Sequence, residues 1–320
     1  MKKRVLVTGG GGFIGSNIVD ALIDDGAYEV VVLDNFSTGR RENLSALLSR
    51  IELIEGDIRD MEIVEEAVAG VDMILHEAAL PSVPRSVKAP ITSNDVNIGG
   101  TLKLLSAAQK AGVKRFVMAS SSSVYGDTPT LPKHEDMTPC PLSPYAVSKL
   151  AGEHYLRVFA QLYNMETLAI RYFNVFGPRQ DPTSQYSGVI AKYMTAALEN
   201  GTYIVNGDGT QARDFTYVDN VVYANLLALK APKLGGEVIN VAVGKKYSLL
   251  DLIDAINRVA HVDLPIEYGE PRTGDVRFSQ ASIIRAKEVL GYSPLVSFET
   301  GIAKTYEWYK ETSENTHCRG

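Results

Sequence analysis

Arg4-Val-Leu-Val-Thr-Gly-Gly-Gly-Gly-Phe-Ile-Gly15 runs a β-branched segment straight into a cluster of glycines. The apolar run predicts a buried strand. Glycines at 9, 12 and 15 give the spacing G-x-x-G-x-x-G, and the apolar residues Ile18, Val19, Leu22 and Ile23 predict a helix immediately after them. Without side chains the backbone turns tightly and can approach a pyrophosphate, which then sits at the helix N-terminus. A second strand, Glu29-Val-Val-Val-Leu33, ends in Asp34, and 34 − 15 = 19 residues is the spacing expected for an acid on the ribose hydroxyls of an adenosine. The alternative is a glycine-rich turn with no ligand. A carboxylate repels a 2′-phosphate, so Asp34 favours NAD over NADP, although Arg40 and Arg41 follow closely.

Working outward, Ile51-Glu-Leu-Ile-Glu55 predicts a third strand, ending at Asp57. Asp57 either meets the adenine amino group or caps a helix beginning near Met61. Met73-Ile-Leu-His76 predicts a fourth strand. It ends at Glu77-Ala-Ala79, where small residues let a cofactor pass closely, and His76 reads as a packed strand-end residue. Residues 81–86 read as a loop. A long helix is expected over 94–111, with Leu102, Leu105 and Ala108 on its apolar face and Asn97 near its start.

The chemistry lies further on. Lys114-Arg-Phe-Val-Met-Ala119 predicts a strand, and Ser120-Ser-Ser-Ser123 follows at its C-terminal end, where ligands lie in an open parallel sheet. In Ser143-Pro-Tyr-Ala-Val-Ser-Lys149, Pro144 suits the first helical position. Tyr145 and Lys149 then share one helix face. A phenol has an ordinary pKa of about 10. A nearby ammonium is expected to lower it and make Tyr145 a proton carrier, the alternative being a chance surface pair.

The 320 residues suffice for one large or two intimate domains, and the net charge of −6 with no basic run argues against a nucleic-acid partner. No apolar stretch of membrane-spanning length and no signal-peptide core is visible. Cys140 and Cys318 form neither a metal-spaced pair nor a disulfide framework, so no metal and a reducing cytoplasm are expected. The polar stretch 312–320 reads as frayed. Toward the C-terminus, Val238-Ile-Asn-Val-Ala242 predicts another sheet strand, and 248–260 an amphipathic helix with a serine cap.

Gly9-x-x-Gly12-x-x-Gly15, Asp57, the Ser121 cluster and Tyr145-x-x-x-Lys149 together resemble the extended short-chain dehydrogenase/reductases over almost the entire chain. Within them, Asp34-Asn-Phe-Ser-Thr-Gly39, Arg171-Tyr-Phe-Asn174 with Gly177-Pro178, and Arg272-x-Gly-Asp275 are similar to the UDP-hexose 4-epimerases. The resemblance implies a doubly wound parallel α/β sheet (Rossmann) with a smaller α/β substrate domain. It divides the chain into 1–171 with 218–244 for NAD, and 172–217 with 245–320 for a UDP-sugar. It implies NAD-dependent inversion at C4 of the sugar through a 4-keto intermediate, with Tyr145, Lys149 and Ser121 as the catalytic set. Cofactor contacts are implied for Phe13, Ile14, Asn35, Ser37, Thr38, Gly39, Ile58, Ala78, Ala79, Asn97 and Tyr172, besides Gly9, Gly12, Gly15, Asp34 and Asp57. Substrate contacts are implied for Ser122, Ser123, Asn174, Val189, Arg213, Arg272, Asp275 and Ser279, and a homodimer is implied as the assembly.

Ser121-Ser-Ser123 replaces the Thr-Asp-Glu turn of the sugar-nucleotide dehydratases, which argues against dehydration. Arg85 and Lys88 keep a uronate 4-epimerase or decarboxylase open, and a non-catalytic dinucleotide sensor is the alternative of another class. Epimerases that reject N-acetylhexosamines carry a tyrosine four residues after the Asp of the Arg-x-Gly-Asp loop. Ser279 stands there in this chain, and with Leu80-Pro-Ser-Val-Pro-Arg-Ser86 it makes the chain look closest to epimerases that prefer UDP-N-acetylglucosamine. A slip of one residue would put Phe278 at that gate and reverse the expectation.

Overall fold

The computed structural model describes residues 2–181, 188–270 and 277–317. Six strands come first: β1 (Lys3–Thr8), β2 (Tyr28–Asp34), β3 (Ile51–Glu55), β4 (Met73–His76), β5 (Arg115–Ser121) and β6 (Glu166–Tyr172). The remainder are β7 (Val175–Phe176), β8 (Tyr203–Asn206), β9 (Ala212–Arg213), β10 (Thr216–Tyr217), β11 (Glu237–Val241), β12 (Tyr247–Ser248) and β13 (Ile266–Gly269). A seven-stranded sheet runs in the order β11-β6-β5-β4-β1-β2-β3, with every neighbouring pair parallel. The order reverses between β1 and β4, the crevice where doubly wound sheets hold ligands.

The first eight α-helices among the described residues are α1 (Phe13–Asp25), α2 (Met61–Ala67), α3 (Val83–Lys88), α4 (Pro90–Asn94), α5 (Thr101–Ala111), α6 (Pro144–Tyr163), α7 (Val189–Leu198) and α8 (Val218–Lys230), of which α1, α2, α5, α6 and α8 lie against the sheet faces. Parallel strands buried on both sides need apolar residues at every position, and the runs supply them. Val5, Val7, Val30 and Val32 pack against Ile18 and Leu22 of α1 and Val221 of α8. Leu6, Val31 and Leu33 face the other way, toward Val64 of α2, Leu104 of α5 and Leu156 of α6. Three two-stranded pairings, β10 with β7, β12 with β9 and β13 with β8, join α9 (Leu249–Ala260), α10 (Ile284–Leu290) and α11 (Phe298–His317) beside the C-terminal strand ends. Ser248 caps α9, as its sequence predicts, and closes a capping box with Asp251. Among the described residues, no helix is long and apolar enough to cross a membrane.

Three local expectations need correction. Residues 81–86 are not all loop: α3 starts at Val83, because Ser82 accepts from the Arg85 amide at 3.1 Å and Pro84 is set for a first helical turn. The helix expected over 94–111 is interrupted by a π turn over Asp95–Gly100. Its extra residue rotates the stripe, so Leu104 and Ala107 join Leu105 and Ala108 in the core while Leu102 is only partly covered. The chain does not fray at 312, since α11 continues to His317, with Thr312 bonding back to the Trp308 carbonyl at 2.8 Å.

Candidate active site

The glycines earn their places by contact. Gly9 has φ +70°, and a Cβ there would lie 2.7 Å from the Ala78 amide nitrogen; one on Gly15 would lie 2.1 Å from the Gly9 carbonyl oxygen. The turn closes through Gly12 N–H to Gly9 O at 3.0 Å, and Gly12 caps α1 without any side chain over the open amides. That leaves donors and the positive helix end facing the cleft, which suits a pyrophosphate.

Asp34 ends β2 beside this turn, accepting from the Gly11 amide at 2.8 Å and the Phe36 amide at 2.7 Å. Burial raises its pKa against those two bonds. Asp57 lies across from it. The Arg59 guanidinium, aided by the Asn35 amide at 2.8 Å, holds the Asp57 carboxyl down at about 2. The helix cap near Met61 is Asp60, which receives the Glu62 amide, so Asp57 is left facing the cleft. Arg40 is paired with Asp181 at 2.7 Å and Arg41 with Glu55. Both arginines are thus committed to acids, which leaves the Asp34 carboxylate beside the glycine turn without a cation among the described residues and fits NAD.

The cleft has a volume of about 1370 Å³. It runs from Gly9, Gly12, Phe13, Ile14 and Gly15 past Asn35, Ser37, Thr38, Gly39 and Ile58 to Ala78 and Ala79. It ends among Ser121, Ser122, Ser123, Tyr145, Lys149, Tyr172, Asn174, Arg213 and Ser279. Ser143 caps α6 by accepting from the Ala146 amide at 3.2 Å, and Pro144 opens the helix, so Tyr145 and Lys149 sit a turn apart. Ser121 Oγ accepts from Ser123 Oγ at 2.9 Å and the Ser123 amide at 3.2 Å, which leaves its own proton for the Tyr145 oxygen. Lys149 Nζ donates to the Ala119 carbonyl at 2.8 Å and stands 5.9 Å from the Tyr145 ring centre.

The electrostatics correct one expectation. Burial pushes the Tyr145 phenol up to about 12, with Ser121 opposing and Glu77 assisting; it is not lowered by Lys149. Burial also brings Lys149 down to about 8, against Glu77 and Glu153. Each charge loses solvation in the cleft wall, and that loss is the largest influence on both groups.

Asn97 does not reach the cleft wall. It is buried in the π turn, accepting from the Leu80 amide at 2.8 Å and donating to Ser148 Oγ at 3.0 Å, and so ties the loop after β4 to α6. His76 is a packed strand-end residue: it bridges Thr8 at 2.7 Å and Thr101 at 2.8 Å, and burial lowers its pKa to about 3. A second cavity of about 570 Å³ adjoins the cleft, sharing Asn174 and Arg213 with it and adding Val189, Ile204 and Asn206. Arg213 Nη1 donates to the Arg277 carbonyl at 3.0 Å. Ser279 faces the large cleft, whereas Phe278 lies beneath the Lys246 ammonium, 5.0 Å from ring centre to nitrogen. Arg272 and Asp275 lie outside the described residues.

Two site residues escaped the sequence reading. Ser86 Oγ accepts the Tyr145 amide at 3.1 Å, pinning the start of α6. Glu77 lines the cleft and accepts from the Tyr172 hydroxyl at 2.8 Å. An acid between an apolar strand and two alanines was its only signal.

Residues 5–242 match the NAD dependent epimerase/dehydratase family. The chain is 43% identical to the UDP-glucose 4-epimerase of Mycolicibacterium smegmatis, over 97% of this chain and 100% of that one. Among solved structures, it resembles the UDP-N-acetylglucosamine 4-epimerase of Methanobrevibacter ruminantium, in complex with UDP-N-acetylmuramic acid. The TM-score is 0.92 and the identity 40%, over 98% of this chain and 100% of that one. It also resembles the UDP-glucuronic acid 4-epimerase of Bacillus cereus in complex with UDP-glucuronic acid and NAD. There the TM-score is 0.89 and the identity 34%, over 97% and 99% of the two chains. The chain belongs to the NAD dependent epimerase/dehydratase family. NAD is its cofactor, and the glycine turn, the open α1 terminus and Asp34 are fitted to hold it.

Proposed function

We propose that this chain is a UDP-sugar 4-epimerase that interconverts UDP-N-acetylglucosamine and UDP-N-acetylgalactosamine, with some activity on UDP-glucose and UDP-galactose. In this reading, the part of the chain around 172–217 and 245–320 holds the nucleotide sugar and the rest holds NAD. The second cavity, entered past Arg213, takes the uridine end, and a guanidinium there suits a diphosphate. The sugar lies toward Ser121 and Tyr145. Tyr145 takes the proton of the 4-hydroxyl and returns it, Ser121 bonds the same oxygen, and Lys149 holds positive charge beside the phenol. Bound NAD supplies a hydride-accepting ring, so a sugar oxidised at C4 and reduced again on its opposite face is inverted.

The observation that carries the N-acetyl preference is Ser279. Its small side chain faces the cleft, and the neighbouring Phe278 ring is turned under Lys246. The space a tyrosine ring would fill is therefore left for an acetamido group. The test is a panel of UDP-sugars with products resolved by NMR, run on the wild type and on Ser279→Tyr. The variant is expected to lose the N-acetyl reaction by about 10-fold or more relative to the plain hexose reaction, since the ring acts as a repulsive element. Equal losses on both substrates would defeat the gate reading, and so would a wild type active only on UDP-glucose. Arg85 also lines the cleft, which supports a uronate as the second substrate class. The same panel therefore includes UDP-glucuronate. A protein that releases NAD on denaturation but turns over nothing would be a dinucleotide sensor instead.

The proposed assembly is a homodimer. Val147, Val158 and Leu162 on α6 and Ile91 on α4 are exposed, and the two helices pack side by side. Apolar residues on adjacent helices form a self-complementary face for a two-fold axis. Sedimentation at micromolar concentration is expected to give a dimer, and Val158→Asp with Leu162→Asp is expected to give a monomer. A monomeric wild type would rule the assembly out.

A further inference from the structure

We propose that Glu77 is a positioning residue of the catalytic centre. From the end of β4 its carboxylate, anchored by Tyr172, faces the Lys149 ammonium and sets the pH range in which Tyr145 can exchange a proton. The inference rests on the epimerase reading above. Three adjacent strands end side by side at this point of the cleft. Glu77 directly follows β4, β5 carries the Ala119 carbonyl that receives Lys149 at 2.8 Å, and β6 ends in Tyr172. The Tyr172 hydroxyl donates to Glu77 Oε1 at 2.8 Å and accepts from Asn225 Nδ2 of α8, also at 2.8 Å. The carboxylate is thus held in the cleft wall by a bonded chain reaching back to the helix behind the sheet.

The groups facing Glu77 leave it little other purpose. Tyr172 comes from β6, and Lys149 and Tyr145 come from α6. His76, next to it on β4, is buried, uncharged and occupied by Thr8 and Thr101. Glu153, the other acid acting on Lys149, is bound to Arg171 and Ser120. Of the two acids acting on Lys149 among the described residues, Glu77 is therefore the one not bound to a guanidinium. Its charge favours the ammonium of Lys149 and opposes the phenolate of Tyr145. Burial raises Glu77 itself to about 7, against the Tyr172 bond and Lys149, so its charge is present chiefly above that pH.

The test compares wild type, Glu77→Gln and Glu77→Asp on the best UDP-sugar of the panel, with kcat/KM followed across pH. Tyr145 and Lys149 titrate as a coupled pair. Removing the neighbouring anion is expected to move the limbs of the profile to lower pH by about one unit, most clearly above pH 7. Glu77→Asp, which keeps the charge, is expected to restore most of the wild-type profile. In parallel, the Tyr145 phenolate is titrated by ultraviolet difference absorbance against Tyr145→Phe, with and without Glu77→Gln, in the absence of sugar. The same downward shift is expected there. A Glu77→Gln enzyme slower at every pH with unmoved limbs, or an unmoved phenolate titration, would overturn the proposal. If no UDP-sugar is turned over, the epimerase reading fails, and the absorbance titration still decides the role of Glu77.

Discussion

Tyr145→Phe is expected to reduce turnover at least about 10²-fold while leaving NAD bound, because it deletes the proposed proton acceptor and little else. The ring stays, so the start of α6 keeps its packing, and its Ser143 cap and the Ser86 bond to the residue-145 amide are untouched. Lys149 keeps its bond to the Ala119 carbonyl. The glycine turn and Asp34 lie at the other end of the cleft and do not depend on the phenol. The measurement is turnover on the preferred UDP-sugar together with the NAD released from denatured protein. Near-normal turnover would show that the proton goes elsewhere. Loss of NAD together with activity would point to a collapsed cleft.

The second large effect is on stability. Glu153 of α6 and Arg171 of β6 form a bidentate pair at 2.8 and 2.7 Å, with only 4% and 2% of each residue exposed. Ser120 donates to Glu153 at 2.5 Å, and the guanidinium lies over the Tyr125 ring at 4.6 Å. The pair sits behind the strand end that carries Ser121. Arg171→Met leaves a carboxylate buried with one hydroxyl for company, and removing one partner of such a pair costs about 3–5 kcal/mol. Urea unfolding is expected to show that loss. Adding Glu153→Leu should recover much of it, since the stranded charge is then gone. A single variant within about 1 kcal/mol of wild type would mean that the two charges are solvated in a way their burial does not suggest.

Strong local signals carried most of the fold. The β-branched runs, the spaced glycines, Asp34 at 19 residues, the serine turn and the Pro144-led helix each have a period or a spacing that few other structures satisfy. From them the parallel sheet, the NAD end and the Ser121, Tyr145 and Lys149 set follow. Local chemistry also placed β11 and the Ser248 cap. The sequence left alternatives open, or misread the outcome, where the result depended on contacts that spacing alone does not show. Whether Asp57 faces the cleft was decided by Arg59, Asn35 and a different cap at Asp60. That Ser279 faces the cleft while Phe278 lies under Lys246 follows from the backbone bonds of 277–279 to Ala212 and from Lys246, all far away in the chain. The π turn that buries Asn97 depends on Leu80 and Ser148. The direction of the Tyr145 pKa was misread because a one-turn spacing reports the partner and is silent on burial. Desolvation is a property of the packed cleft, summed over strand ends far apart in sequence, and only the tertiary structure sets its size.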